Sequence, residues 1–455
     1  MKRSFLPVLS ALVCCQGTLN AATNPTDSEI HMVLRDCVEK EKRAPGIVVG
    51  WLDPGGSRIV YCGTRDGKVE VDGDTLFEIG SVTKTFTATL LELAVERGEV
   101  ALDDPVQKFL PPSVTIPSRE GKQITLLDLA THTSALPRLP SNMQPKDPEN
   151  PYADYSVEQL YEFLNGCKLT RDIGAKYEYS NLGVGLLGHI LALKAGTNYE
   201  ALVLREICRP LKMDSTRITL TPELKARLAL GHNQAGVPVE NWDIPTLAGA
   251  GALRSTANDL LKYLSANIGL SDVPLARTMA RAQVIRAPAG STETSIALAW
   301  HVTKRFGSEI VWHNGGTGGY HSFVGFDRTN RQGVVVLANS SNDIDDIGRH
   351  LLNPSYKLNH PHSRQIAKID YNVYADYAGQ YELIPGIRFT ITREGDHLFA
   401  QLTGQQRAEV YPENETNFFY TIVDAQLTFE RKNGKVANLI LHQNGRDQTA
   451  TRVSP

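Results

Sequence analysis

The chain has 455 residues, 41% of them hydrophobic and 21% charged, with a net charge of −3. This is the composition of an ordinary globular protein of two or three compact units. It has no basic arm and no long run of like charge, so it offers no footing for nucleic-acid or membrane-surface binding.

The N-terminus reads as an export signal over residues 1–21. Lys2 and Arg3 precede the short apolar run from Phe5 to Cys15, and Leu19-Asn20-Ala21 ends in a small residue suited to cleavage. That run falls short of the roughly 20 residues that a spanning helix needs, and no later segment is long and apolar enough to span. The expected destination is the periplasm or the exterior. Cys37, Cys62, Cys167 and Cys208 follow the signal. Their even number permits disulfides, with Cys37–Cys62 and Cys167–Cys208 as the sequence-near pairings, and buried free thiols are an equal alternative. No cysteine or histidine spacing suggests a metal site, and no cofactor is implied.

Ser28 to Lys42 has helical spacing, with Ile30, Val33, Leu34 and Val38 on one face. Gly46 to Trp51 and Arg58 to Tyr61 read as strands joined by the turn Asp53-Pro54-Gly55-Gly56. After a short extended segment, Thr75 to Ile79, a long helix is predicted from Ser81 to Arg97, with Gly98 placed as its cap. Helical spacing then recurs over 126–130, 157–165, 182–195 and 199–207, around a loop rich in Pro, Asn and Asp from Pro137 to Pro151. Strand character returns at 296–302, 310–313, 322–327 and 333–339. Residues 353–369 read as a linker. From 370 to the end the pattern is all-β, with strands at 388–392, 398–402, 418–422, 426–431 and 436–442, and Gly-containing turns suited to a partly closed barrel.

Three segments carry chemistry. In Gly80-Ser81-Val82-Thr83-Lys84, residues i and i+3 at a helix start share one face, so Lys84 can reach the Ser81 oxygen. A serine hydroxyl needs such a base, and the helix N-terminus favours a developing oxyanion. Lys84 needs a lowered pKa for that role. In Tyr177-Glu178-Tyr179-Ser180-Asn181, one loop can present the Tyr179 phenol as a proton shuttle and the Asn181 amide as a substrate donor and a hold on Lys84. The bland alternative is a helix-capping Asn with a packed Tyr. In His313-Asn314-Gly315-Gly316-Thr317-Gly318-Gly319, four glycines in five residues suit a backbone that meets a ligand closely. A strand edge there could pair with an extended substrate, and the Gly316 N–H could join that of Ser81 as an oxyanion hole. His132 reads as structural rather than catalytic.

Taken in order, these segments resemble the serine β-lactamase and penicillin-binding protein superfamily, and within it the class C β-lactamase-like branch, from about residue 30 to 350. Leu127 to Ser134 and Ala248 to Thr256 belong to the same likeness. The resemblance implies an α/β fold: an antiparallel sheet flanked by helices, a helical subdomain, and a small C-terminal β domain similar to lipocalin-like appendages. The domains would be 22–352 for the hydrolase and 370–455 for the appendage, which could shade the cleft or mediate oligomers. It implies Ser81 as nucleophile, with Lys84 and Tyr179 as one coupled acid/base unit. Asn181 would bind the substrate amide, His313-Asn314-Gly315 would stand for the family's Lys-Thr-Gly triad, and Gly316 would serve as oxyanion donor. The chain departs from the family at His313, which stands in place of Lys, and at Ala135, in place of a usual Gly. No residue of the loop after Pro137 is assignable as a second amide-binding group. The implied function is an exported serine hydrolase acting on β-lactams or D-amino-acid peptides. An esterase of short acyl esters and a penicillin sensor that never turns over are the alternatives.

Overall fold

A computed structural model describes residues 24–359, 366–403, 407–420, 425–443 and 446–454, so the segment read as an export signal lies outside the described residues. Helix α1 (Asp27–Arg35) starts with Thr26 and Glu29 in a reciprocal capping box. Strands β1 (Gly46–Asp53) and β2 (Gly56–Gly63) form the expected hairpin. Helix α2 (Thr83–Glu96) follows, then α3 (Leu126–Ala130), α4 (Val157–Gly166), α5 (Asn181–Lys194), α6 (Ala257–Ile268) and α7 (Leu275–Ala282). The chain then returns to the sheet with β3 (Ala287–Ala289), β4 (Ser291–Ile296), β5 (His301–Arg305), β6 (Ser308–Gly316), β7 (His321–Asp327) and β8 (Gln332–Ala338), and closes on α8 (Asp345–Leu352).

The sheet has eight strands in the order β2-β1-β8-β7-β6-β5-β4-β3, antiparallel throughout. Side chains alternate across a strand. In β1 the odd positions Ile47, Val49 and Trp51 therefore pack with α1 and α8, while Val48 and Leu52 join the main core with α6. Every residue of β1 is buried, which is why its sequence is continuously apolar rather than alternating. Helix α2 runs through the centre of the molecule with eleven of its residues buried, Lys84 among them.

The apolar stretch 296–302 is not the single strand its composition predicted. Ala297 to Trp300 form the buried turn between β4 and β5, with the Ala297 N–H donating to the Trp300 carbonyl at 2.8 Å. The stretch is apolar because the turn is buried. The four cysteines among the described residues are free thiols, Cys37 and Cys208 buried and Cys62 and Cys167 half-buried, so neither sequence-near pairing forms.

The C-terminal region is a closed barrel of eight strands in sequence order. They are β9 (Gly379–Ile384), β10 (Ile387–Glu394), β11 (His397–Leu402), β12 (Ala408–Pro412), β13 (Asn417–Tyr420), β14 (Ala425–Lys432), β15 (Lys435–Gln443) and β16 (Arg446–Ser454). Pairing of β9 with β16 completes the closure that the sequence reading left partial. Its interior is packed rather than hollow. Tyr377, from the helical turn Tyr374–Tyr377, stacks on Phe429 at 4.1 Å between ring centres, and Tyr381, Phe389, Leu398, Leu427 and Leu439 fill the remainder.

Candidate active site

Ser81 lies in the tight turn Gly80–Val82 that leads into α2, one turn ahead of the helix proper. Gly80 takes φ +46°, a conformation that a side chain would strain. The Ile79 backbone is held from both sides, its N–H donating to the Leu253 carbonyl at 3.0 Å and its carbonyl accepting from Ser322 Oγ at 2.8 Å. The turn is thereby fixed against β7 and the segment preceding α6.

Lys84 is fully buried beneath Ser81. Its Nζ lies 2.9 Å from Ser81 Oγ, 2.9 Å from Asn181 Oδ1 and 2.6 Å from the Ala250 carbonyl. No carboxylate is among these partners. Burial, and secondarily the charge of Arg138, holds its pKa well below the ordinary amine value.

Tyr179 and Asn181 come from the loop before α5. Ser180 caps that helix, its Oγ accepting from Gly183 N–H at 2.9 Å and donating to the Pro137 carbonyl at 2.7 Å. His132 holds the same loop: its carbonyl accepts from Glu178 N–H at 2.8 Å and its Nδ1 from Ser180 N–H at 3.1 Å. His132 thus acts as a clamp, with its proton placed on Nε2. Three residues on, Ala135 sits at φ +64°. A left-handed alanine costs about 1 kcal/mol, which is why a glycine suits that position. The Tyr179 ring stacks on His132 with centres 4.5 Å apart, and Lys84 Nζ and the Arg138 guanidinium lie 4.9 Å and 5.1 Å from its centre. The nearby guanidinium does not make the phenol acidic. Burial outweighs the lowering by the Ser81 hydrogen bond and by Arg138, and Tyr179 keeps its proton to higher pH than a free tyrosine.

The opposite wall is β6. Thr317 N–H donates to the Tyr320 carbonyl at 3.0 Å, which makes 317/320 a hydrogen-bonded pair. Pairs alternate in an antiparallel ladder, so Gly316/His321 is a non-bonded pair and the Gly316 N–H faces away from β7. On that side β5 pairs with β6 only as far as Trp312, so residues 313–316 form a free strand edge. The edge runs directly against the serine turn. A Cβ on Gly315 would lie 2.0 Å from the Ile79 carbonyl oxygen and 2.9 Å from Ser81 N, and one on Gly80 would lie 2.8 Å from Gly316 N. The Ser81 and Gly316 amides therefore border one small cleft, closed by Tyr152, Asn181, Trp242 and Ile244.

His313 is 1% exposed, with its Nδ1 against the Asn314 carbonyl at 2.5 Å and no partner on Nε2. Burial, then His301 and Lys84, pushes its pKa well below that of a free imidazole. The imidazole is uncharged, not fractionally charged as its residue type suggested. The Asn314 side chain turns out of the cleft, its Nδ2 donating to Asp345 Oδ2 at 2.8 Å. Asp345 also receives His321 and Arg349, at 3.0 Å and 3.1 Å. With Asp343 these make the one group of histidine and carboxylate atoms within 4.8 Å of one another found among the described residues. Asn314 and Arg349 already occupy Asp345 Oδ2, so the group reads as a buttress for β6 rather than a metal centre.

Three site residues escaped the sequence reading. Tyr152, just after the long loop, accepts from Asn181 Nδ2 at 3.2 Å and lines the cleft. Trp242 lies against it, 5.4 Å between ring centres, and is anchored by the buried Glu78–Arg254 ion pair. Arg138 sits above Tyr179. No motif marks any of the three; Arg138 and Tyr152 lie in or beside the Pro-rich loop, and Trp242 has no such local signal.

Residues 34–352 match the family Beta-lactamase. The chain belongs to that family. Residues 364–452, which cover all but the last two residues of the barrel, match a domain of unknown function, DUF3471. The chain is 31% identical over 365 residues, 75% of its length and 92% of the relative's, to the D-alanyl-D-alanine-carboxypeptidase/endopeptidase AmpH of Escherichia coli K12. It is 25% identical over 412 residues to penicillin-binding protein 4* of Bacillus subtilis, covering 84% of this chain and 88% of that one. Among solved structures, a β-lactamase/D-alanine carboxypeptidase from Yersinia pestis superposes with TM-score 0.64 at 24% identity, over 72% of this chain and 97% of that one. An octameric penicillin-binding protein homologue from Pyrococcus abyssi does so with TM-score 0.64 at 21% identity, over 93% and 99%. This family member is a serine hydrolase. Among its described residues no helix is long and apolar enough to cross a membrane.

Proposed function

We propose that the chain forms an acyl-enzyme on Ser81 and hydrolyses the amide bond of β-lactams or of peptides ending in D-amino acids. One observation carries the reading: a buried lysine, without a carboxylate partner and with a depressed pKa, lies 2.9 Å from the serine oxygen. A neutral amine in that place accepts the hydroxyl proton as Ser81 attacks. The amides of Ser81 and Gly316 receive the oxyanion, each donor stabilising it by roughly 3–4 kcal/mol. Tyr179, which holds its proton, delivers it to the leaving nitrogen and recovers one from the ammonium of Lys84 beside its ring. Water then releases the acyl group by the same steps reversed. Asn181 and Tyr152 face the substrate amide, and the free edge of residues 313–316 pairs with its backbone.

Export belongs to the same reading, carried by Lys2, Arg3 and the apolar run after them, with the hydrolase spanning 22–352 and the barrel region 370–455 beyond a linker at 353–369. The buried, uncharged His313 favours a second substrate class, short acyl esters, because β6 offers no cation to a substrate carboxylate. Nitrocefin, a D-Ala-D-Ala peptide and a p-nitrophenyl ester, each assayed with wild type and Ser81→Ala, separate the classes. Ser81→Ala is expected to lose at least ~10³-fold in kcat on every substrate that is turned over. Retained turnover in that variant rules out the acyl-serine mechanism.

A further inference from the structure

The site described so far has no cation left for an anionic substrate. Lys84 is buried and fully engaged, and the head of the β6 motif is an imidazole enclosed by His301 and Tyr179. Arg138 is different. Its backbone is clipped to the catalytic loop, the Arg138 carbonyl accepting from Leu182 N–H at 3.1 Å and the neighbouring Pro137 carbonyl from Ser180 Oγ at 2.7 Å. Its side chain is exposed, with the guanidinium 5.1 Å from the centre of the Tyr179 ring. Among the described residues no carboxylate lies within ion-pair distance of it, although most arginines of this chain have one. Its charge acts on the buried Lys84 and Tyr179 and on Tyr152, which lines the cleft. A guanidinium fork free on the solvent side and held at its root by a rigid loop is suited to bidentate capture of a carboxylate.

We propose that Arg138 is the residue that reads the substrate's carboxylate, so that the anionic end of the substrate is held from the loop above Tyr179 and not from strand β6. This rests on the reading of Ser81 as the acylated nucleophile. It makes free-acid substrates, such as a penicillin or a peptide with a free D-amino-acid terminus, the preferred class.

The test compares acylation of the full chain by benzylpenicillin and by its methyl ester, followed by intact mass, for wild type, Arg138→Ala, Arg138→Glu and Ser81→Ala. Wild type is expected to acylate at least tenfold faster with the free acid. Arg138→Ala should lose at least tenfold more on the acid than on the ester, and Arg138→Glu should reverse the preference. An unchanged preference in both Arg138 variants, or equal losses on the two compounds, overturns the inference and leaves the Ser81 reading standing. An adduct that survives Ser81→Ala overturns the Ser81 reading and this one with it; a wild type that neither forms an adduct with benzylpenicillin nor consumes it overturns this inference alone.

Discussion

The two walls of the cleft are built on different principles. On the helical wall, polar atoms crowd together: Lys84 touches three oxygens, Asn181 joins it to Tyr152, and Ser180 and His132 lock the loop from behind. On the strand wall the polar atoms stand apart. His313 Nε2 has no partner, the Gly316 N–H faces a free edge, and the side chain of Asn314 is committed elsewhere. The first wall is a network in which Lys84, Asn181 and Ser180 hold one another and the loop, with only His132 Nε2 left without a partner. The second consists of backbone donors left free on one edge and placed by the ladder to β7 and the Asn314–Asp345 buttress. In the proposed mechanism, bond-making chemistry is thus concentrated on side chains of the helical wall, while the sheet contributes position and main-chain hydrogen bonds.

That division is breakable. The largest effect after loss of the serine is expected from Lys84→Met, which keeps the volume but removes the base. Acylation should fall by roughly 10²–10⁴-fold, with thermal stability little reduced because an amine is taken out of a buried site. Stopped-flow acylation and a melting curve check both halves. Next comes the seam between the walls. Gly315→Ala places a methyl 2.0 Å from the Ile79 carbonyl and 2.9 Å from Ser81 N. It should displace an oxyanion donor and reduce kcat by about 10²-fold, with KM moved far less. Equal changes in kcat and KM would show that the seam only binds. The smallest effect is a flat line. A histidine acting as a cation would lose its hold on an anion as pH rises through its pKa. His313 is already neutral, its pKa pushed well below the ordinary value, so the acid-over-ester preference should stay constant between about pH 6 and pH 8. A preference that falls across that window would make His313, and so the strand wall, the charged one.

How far the sequence foretold all this follows from how local each feature is. The Ser81–Lys84 pair is one helical turn and the Tyr179–Asn181 pair one loop, so spacing alone brings each pair together. The geometry of the glycine edge was legible too, since close approach needs residues without side chains. Tyr152, Trp242 and Arg138 were not, because they join the cleft through contacts that no short motif encodes, such as Trp242 with Glu78 across 164 residues. The protonation states of Tyr179 and His313 escaped for a related reason: burial sets them, and burial is a property of the fold. In the barrel, β9, β12 and β16 were missed. Strand β12 is only five residues long, and β16 offers little beyond Ala450 to the core, so neither shows a clear alternation.

The surroundings of Lys84 fix one further quantity, the direction of its electron pair. An uncharged amine has two hydrogens and one lone pair. The Asn181 Oδ1 and the Ala250 carbonyl can only accept, so between them they take both hydrogens. What remains points at Ser81, whose hydroxyl can rotate and must then donate. An ammonium in the same pocket would turn a third hydrogen toward the serine and send the hydroxyl proton elsewhere. By counting valences, two ordinary carbonyls aim the lysine as well as hold it, and in the proposed reaction the serine proton already faces the atom that would receive it.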